Sequence, residues 1–241
     1  MKLTPKKILV IDLAFIGDVI LATPTMRAVK EAWPEAEVTM LTVPLTEPVA
    51  AMNPFVDHVL TYDKRGVHAG FLGMLAIARA LRKMHFDLSI CMNFAIRGAV
   101  VAWLAGIPHR LGYDAQHAGI FLNHVASSKR EGIKHEALNH LEVLKPFGLF
   151  TSNTSLTFRL PETANVSLAR KKAERSIPEQ GYVVLCPFGS YARKNLPTEI
   201  AVGLVKEIRQ KSSAASILEG AGKAVPDAWQ GREVYLIGGP K

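Results

Sequence analysis

Residues 8–24 read Ile8-Leu-Val-Ile-Asp-Leu-Ala-Phe-Ile-Gly-Asp-Val-Ile-Leu-Ala-Thr-Pro24. An unbroken apolar run ends at Asp12, and a short segment containing Gly17 separates it from a second apolar stretch. This order predicts a buried strand over residues 7–11, a loop with Gly17, and a helix that begins at Asp18 and continues to residue 33. A fully apolar strand followed by a helix is typical of a parallel sheet with helices on its faces.

The same alternation of short β-branched runs and longer amphipathic stretches continues to Gly148, which is placed to end the last helix as a C′ glycine. Repeated βαβ units of this kind predict an α/β fold, here a Rossmann-like parallel-sheet domain over residues 1–150. The predicted strands are 7–11, 37–43, 58–62, 87–91 and 110–113, and the predicted helices are 18–33, 46–52, 69–84, 95–104 and 136–147.

From residue 151 the chain becomes polar and contains Pro161, which predicts a linker over residues 151–180 with a strand at 156–160 and a charged helix at 161–177. A new βα unit follows, with predicted strands at 182–186 and 233–237 and a helix at 198–211. Two strands and one clear helix are fewer than an α/β core normally has. Residues 181–241 are therefore expected to form an incomplete second Rossmann-like domain.

The composition of the 241 residues, 49% hydrophobic and 21% charged, indicates a soluble globular protein. The first apolar run is too short for a signal peptide or a membrane span, which predicts a cytoplasmic location. Cys91 and Cys186 lie in apolar runs without a second Cys or His at metal-ligand spacing, and both are expected to be buried thiols.

The net charge of +8 favours an anionic partner, such as nucleic acid, a phospholipid surface or a phosphorylated substrate. An ordinary basic surface without an anionic partner would give the same net charge. The sequence has neither a helix-turn-helix pattern nor basic stretches interleaved with aromatic residues, so nucleic acid is disfavoured.

Asp18 is the first candidate for chemistry, because loops at the carboxyl ends of strands border the ligand crevice of an α/β sheet. The alternative is that Asp18 only caps its helix, since Asp accepts hydrogen bonds from free amide groups at a helix start. Local chemistry alone favours the cap, and Gly17 is then only a turn residue. The lack of a G-x-G-x-x-G pattern argues against a dinucleotide-dependent oxidoreductase.

The opening strand, the Gly17-Asp18 pair and Thr23-Pro-Thr-Met-Arg27 resemble the start of family 9 glycosyltransferases, the heptosyltransferase family. The similarity covers essentially the whole chain. Further matching segments stand in the family's order: Phe55-Val-Asp-His-Val-Leu-Thr-Tyr-Asp63, Ala105-Gly-Ile-Pro-His-Arg-Leu-Gly-Tyr113, His135-Glu-Ala-Leu-Asn-His-Leu-Glu-Val-Leu144, Val183-Val-Leu-Cys-Pro-Phe-Gly-Ser-Tyr-Ala-Arg-Lys-Asn-Leu-Pro197 and Leu236-Ile-Gly-Gly-Pro240.

The resemblance implies a GT-B fold and transfer of heptose from ADP-heptose to the lipopolysaccharide inner core, with inversion and without a metal or other cofactor. It implies that Asp18 is the general base and that Lys194 binds the donor phosphates and stabilises the leaving diphosphate. Gly189 and Ser190 lie on the same loop as Lys194 and are donor-binding candidates, although a solvated polar loop is the alternative. Leu196 stands where the family usually has Trp.

The acceptor of this family is an anionic glycolipid, lipid A-Kdo or a later core intermediate. The acceptor-binding candidates are Gly17, Lys64, Arg65 and Arg97, with solvated surface cations as the alternative. We expect peripheral contact with the inner face of the inner membrane and no nucleic-acid partner. His109, His135 and His140 are assigned loop, surface or packing roles.

The family's later Ser/Asp-Gly-x-x-His donor segment is absent from the 241 residues, so the activity of this form is doubtful. The alternative function is a catalytically silent fragment or an acceptor-binding module of the same family.

Overall fold

The computed structural model describes residues 3–129, 134–179, 182–189, 192–210 and 233–236. It divides the chain into two compact units, residues 1–161 and 162–241. The first unit contains most of the buried core. None of the helices in the described residues combines the length and apolar composition that a membrane-spanning helix needs.

The first unit is built on a six-stranded parallel sheet, in the order β3-β2-β1-β4-β5-β6. The strand order reverses between β1 and β4, the topological switch point at which open α/β sheets bind ligands beyond the carboxyl ends of their strands. The strands are β1 (Lys7–Ile11), β2 (Glu37–Thr42), β3 (His58–Thr61), β4 (Leu88–Cys91), β5 (His109–Tyr113) and β6 (His124–Ala126).

Helices cover both faces of this sheet, and β1 is buried on both. Ile8 and Val10 belong to one core cluster, and the alternate residues Leu9 and Ile11 belong to another, because successive side chains of a strand point to opposite faces. The helices of this unit are α1 (Ile16–Leu21), α2 (Thr23–Ala32), α3 (Glu47–Ala51), α4 (Gly70–Arg82), α5 (Ile96–Leu104) and α6 (Glu136–Leu141).

The predicted helix over residues 18–33 is wrong in two respects. It begins at Ile16 rather than Asp18, so Gly17 lies in α1 and not in a loop. It also breaks at Ala22, where Pro24 lies in the first turn of α2 and Thr23 Oγ1 donates to Ile20 O at 2.7 Å. Proline has no amide hydrogen and fits the first turn of a new helix better than the interior of a continuous one.

The predicted helix over residues 136–147 is helical throughout, but α6 passes into a 3₁₀ helix at Glu142–Phe147 that contains Pro146. Gly148 ends it with φ of 66°, which confirms the predicted C′ glycine. The short edge strand β6 was missed, because His124–Ala126 is only three residues long.

The predicted strand at 156–160 is wrong: these residues pair with no strand among the described residues. The segment is instead held to the first unit by Arg27, a buried side chain of α2. Arg27 Nη1 donates to Asn153 O at 2.6 Å, and Nη2 donates to Ser155 O at 3.0 Å and to Thr157 Oγ1 at 2.5 Å. One buried guanidinium thus donates hydrogen bonds to two carbonyl oxygens and one hydroxyl of a segment that pairs with no strand among the described residues.

The second unit contains α7 (Glu162–Glu174), β7 (Tyr182–Leu185), α8 (Thr198–Gln210) and β8 (Glu233–Leu236). The strands β7 and β8 pair in parallel, and Ile208 and Val234 form a small core with partly buried neighbours. Domain boundaries at 150 and 180 stay a prediction. The segment at 151–157 contacts the first unit through Arg27, and residues 162–179 belong to the second.

The two cysteines differ in environment. Cys91 is buried in β4, as predicted, and its burial raises the pKa of the thiol to about 12. Cys186 is exposed, so its predicted burial is wrong, because β7 ends one residue earlier at Leu185.

Candidate active site

Three adjoining cavities lie beyond the carboxyl ends of the central strands of the first unit. We call them the apolar, central and Asp18 cavities, of about 340, 240 and 120 Å³. Lys64 lines the apolar and central cavities, and Asn93 lines the central and Asp18 cavities, so the three form one crevice. The crevice lies at the topological switch point between β1 and β4.

The loop that follows β1 is clamped from three sides. Asn93 Oδ1 accepts from Leu13 N at 2.7 Å, and Asp12 Oδ1 accepts from Ala14 N at 3.1 Å. Lys64 Nζ donates to Leu13 O at 2.6 Å. These bonds fix the backbone at residues 13–14 and therefore the entry of the chain into α1, which carries Asp18.

Asp12 is a fully buried carboxyl at the end of β1. Burial raises its pKa, although hydrogen bonds from Asn93 and Ala14 and the nearby His140 act in the opposite direction. The charge of Asp18 adds to the increase. Asp12 Oδ2 has no hydrogen-bond partner among the described residues. The neutral form of Asp12 is therefore favoured more strongly than the neutral form of an exposed carboxyl.

Asp18 is the third residue of α1, and its half-buried side chain lines the Asp18 cavity. Its Oδ2 accepts from Phe15 N at 3.1 Å, which is the bond that an acidic residue at this helix position makes to the residue preceding the helix. The two interpretations of Asp18 therefore coexist geometrically: the side chain stabilises the helix start, and it also faces a cavity.

Gly17 is exposed in the first turn of α1, and no heavy atom lies within 4 Å of the position a Cβ would take. The backbone therefore does not require glycine there. The space beside residue 17 is open, as an acceptor-binding position needs it to be.

The three predicted cations lie together along the crevice. Lys64 and Arg65 line the apolar cavity, and Lys64 and Arg97 line the central one. Arg97 Nη1 also donates to Tyr62 Oη at 3.0 Å. The pKa of Lys64 is lowered, chiefly by its burial and then by the charges of Arg65 and Arg97, against the opposing effect of Asp12. Like charges held this close form a favourable site for an anion.

The predicted donor loop belongs to the second unit, where Gly189 lies against Lys194. A Cβ at Gly189 would be 2.6 Å from Lys194 Cβ and 3.3 Å from Lys194 O, so the close approach requires glycine. Gly189 N donates to Asn195 Oδ1 at 2.8 Å, and Leu196 N donates to Pro187 O at 2.8 Å. Lys194 is exposed. Ser190 lies outside the described residues.

Sequence reasoning missed Asp12 and Asn93, and it gave His140 only a surface or packing role. His140 is buried and lines the Asp18 cavity, and its Nε2 has no hydrogen-bond partner within the described part of the chain. A usable signal was present: Asp12 and Asn93 are the polar residues that follow the apolar runs of β1 and β4. The same positional rule selected Lys64 and Arg97.

Within the described residues, no group of three or more His, Cys, Asp or Glu side chains is placed to hold a metal ion.

Two solved structures share this fold. A family 9 glycosyltransferase from Veillonella parvula is 22% identical, with a TM-score of 0.74 over 85% of this chain and 60% of its own. The ADP-heptose lipopolysaccharide heptosyltransferase II of Escherichia coli is 19% identical, with a TM-score of 0.63 over 83% of this chain and 62% of its own. These similarities confirm the α/β fold class of GT-B type.

Among curated proteins, lipopolysaccharide heptosyltransferase 3 of Escherichia coli is 24% identical over 177 residues, 71% of this chain and 51% of its own. The chain spans about half the length, or less, of the curated relatives it matches. Residues 74–215, more than half of the chain, match the model of glycosyltransferase family 9 (heptosyltransferase). With its parallel sheet and the crevice at the switch point, this chain belongs to glycosyltransferase family 9.

Proposed function

We propose that this protein transfers heptose from ADP-heptose to the inner core of lipopolysaccharide, with inversion at the anomeric carbon. The observation that carries the proposal is the position of Asp18. It lines the Asp18 cavity of the crevice, and three cations line the other two cavities. The family match and the heptosyltransferases named above support the same reaction.

Asp18 acts as the general base in this proposal. Inversion in one displacement requires a group that takes the proton from the acceptor hydroxyl as its oxygen attacks the anomeric carbon. The bond from Phe15 N to Asp18 Oδ2 orients the carboxylate, and a carboxylate has further lone pairs for the proton. A fixed backbone at residues 13–14 holds this group at a constant depth in the crevice.

The acceptor is bound by its anionic groups in the same crevice. Lys64, Arg65 and Arg97 line adjoining parts of the crevice and bind the phosphate or carboxylate groups of the acceptor, and Gly17 leaves room for the sugar beside Asp18. Lipid A-Kdo or a later core intermediate has the required negative charges. We therefore assign these four residues to acceptor binding.

The donor is bound by the loop of the second unit, through Lys194, Gly189 and Ser190. The negative charge that grows on the departing diphosphate must be stabilised by cationic side chains and hydrogen-bond donors. Lys194 supplies a cation, and the small Gly189 allows a phosphate to approach the backbone. The reaction takes place in the cytoplasm, with the protein held peripherally at the inner face of the inner membrane.

Steady-state transfer from ADP-heptose to lipid A-Kdo tests the role of Asp18. Asp18→Asn keeps the acceptor atom for Phe15 N but removes the base, so turnover should fall on the order of 10²- to 10⁴-fold with an unchanged melting temperature. Glu136→Gln is the matched control, because Glu136 lines the same cavity. A rate for Asp18→Asn near that of the wild type, or a larger loss for Glu136→Gln, would show that Asp18 is not the base.

An acceptor-binding module without transfer activity is the second candidate. The observation that favours it is that Asp18 and the three cations all belong to the first unit. It predicts that the 241-residue chain binds the acceptor but transfers no heptose, and that Asp18→Asn changes neither result.

A further inference from the structure

Residues 64–86 contain five basic residues and no Asp or Glu. The segment includes the end of the cationic crevice, the turn before α4 and all of α4. Its basic residues are Lys64, Arg65, Arg79, Arg82 and Lys83. The charge of this one segment is therefore +5, more than half of the net charge of the whole chain.

The same segment exposes large apolar side chains. Val67 is 82% exposed, Phe71 64% and Leu72 78%. Exposed apolar residues are ordinary when single, but three large ones within six positions need a reason. Two further exposed apolar residues, Phe15 and Leu45, line the apolar cavity together with Lys64 and Arg65 of this segment.

The turn that carries Val67 is tightly hydrogen-bonded. Asp63 Oδ1 accepts from Gly66 N at 2.8 Å, Asp63 Oδ2 accepts from Val67 N at 3.3 Å, and His68 Nδ1 accepts from Asp63 N at 3.2 Å. Gly73 of α4 lies directly against the backbone of His68, where any larger residue would clash. Val67 is thus held at the surface by a rigid turn that is packed against the first turn of α4.

The helix α4 is divided into a buried and an exposed face. Ile77, Ala78 and Leu81 are buried in the core, and the exposed face carries Phe71 and Leu72 near its amino end. Exposed basic residues follow at the other end of the helix and just after it: Arg79, Arg82 and Lys83. The exposed face of this helix thus supplies both apolar area and positive charge, the two contributions on which binding to an anionic membrane interface depends.

We infer that Val67, Phe71 and Leu72, together with the five cations of residues 64–86, form a docking surface for a bilayer of anionic phospholipid. The inference rests on the proposed function, because it explains how the crevice reaches an acceptor that is anchored in lipid. We call this surface the α4 face. Its apolar side chains enter the boundary between headgroups and acyl chains, and its cations contact lipid phosphates.

The positive charge of the α4 face favours an anionic bilayer over other partners. Each cation near an anionic bilayer changes the partition constant about fivefold, and the α4 face has no carboxylate between residues 64 and 86 to oppose it. Nucleic acid would use the cations but leave the three apolar side chains exposed to water. A second copy of the chain would place five like charges against each other if it used the same face.

Co-sedimentation of the 241-residue chain with lipid vesicles tests the inference. We expect binding to phosphatidylglycerol–phosphatidylethanolamine vesicles that exceeds binding to phosphatidylcholine vesicles by at least about tenfold and weakens as salt is raised. The variant Phe71→Glu/Leu72→Glu should lose at least about tenfold of the binding to anionic vesicles, because it removes apolar area and adds two negative charges.

Ile120→Glu is the matched control, since Ile120 is 76% exposed outside the α4 face, and its binding should equal that of the wild type. Thermal melting followed by circular dichroism checks that all variants fold. Equal binding of wild type and Phe71→Glu/Leu72→Glu, absence of a preference for anionic vesicles, or an equal loss in Ile120→Glu overturns the inference. A concentration-dependent dimer that only Phe71→Glu/Leu72→Glu dissociates also overturns it.

The vesicles contain no glycolipid acceptor and the assay requires no turnover. Failure of vesicle binding therefore leaves the assignment of Asp18 intact, and a fully active Asp18→Asn variant leaves the docking result intact.

Discussion

Asn93 Nδ2 donates to Asp12 Oδ1 at 3.0 Å, and this bond joins the carboxyl ends of the two strands between which the sheet reverses its order. Asn93 also accepts from Leu13 N through its Oδ1, so one amide side chain contacts two successive residues of the loop that follows β1. The position of α1, and hence of Asp18, depends on this pair.

Asn93→Ala should lower the free energy of unfolding by about 1–3 kcal/mol, because it leaves the partly buried Leu13 amide without a partner and removes one of the two hydrogen bonds to Asp12 Oδ1. Urea denaturation measures the change. Asn123→Ala is the control: Asn123 also makes two hydrogen bonds, to Pro108 O and from Arg110 N, but at an exposed position. An equal loss in the two variants would contradict the role of Asn93 as a buried bridge.

Asp12→Asn should change the pH dependence of stability. Burial raises the pKa of Asp12 in the folded protein. Its contribution to stability is therefore complete below the unfolded pKa of about 3.9 and is lost as pH rises towards the folded pKa. The variant should become more stable relative to the wild type as pH rises above about 4, as measured by urea denaturation.

Asp57 provides a control of opposite sign. Burial acts to raise its pKa, but the hydrogen bonds from Lys30 and Val38 and the charge of Lys30 outweigh this effect, and the pKa is lowered. Asp57→Asn should therefore lose stability relative to the wild type as pH rises from below the folded pKa to above about 3.9. If the two variants shifted in the same direction, the assigned pKa change of Asp12 would be wrong.

Arg27→Met should cost about 2–3 kcal/mol of unfolding free energy, because it removes charge-assisted hydrogen bonds while it keeps an apolar stem in place. Hydrogen exchange should become faster at residues 151–157, which Arg27 holds. Arg79→Met, at an exposed position of α4, should stay within about 0.5 kcal/mol of the wild type. Unchanged exchange at 151–157 would show that other contacts hold this segment.

Lys194→Ala should reduce transfer from ADP-heptose on the order of 10²- to 10³-fold, as expected for the loss of one group that stabilises leaving-group charge. The melting temperature should not change, because Lys194 is exposed. Arg193→Ala removes a neighbouring exposed cation and serves as the control. Equal rate losses in both variants would indicate a general effect of charge instead of a specific contact with the diphosphate.

The apolar strands, the alternation of strands and helices and the glycine at 148 were predictable because they depend on local sequence. Two helix errors had local causes as well: Pro24 lies in the first turn of α2, and Asp18 lies within its helix and not at the cap position. The failed strand at 156–160 could not be recognised locally. Thr157 Oγ1 accepts from Arg27 and Arg159 N donates to Met52 O, so the partners of this segment lie more than a hundred residues earlier in the chain.

The sequence by itself determined the fold class, the family resemblance and the presence of polar residues at the ends of buried strands, because strand periodicity and motif order are properties of the linear chain. Only the tertiary structure decided which of those residues meet. Asp12, Lys64, Asn93 and Arg97 follow three different strands, and parallel pairing brings the carboxyl ends of those strands to one edge of the sheet. The tertiary structure also buried Asp12 and His140, since burial depends on what packs around a residue and not on its neighbours in sequence.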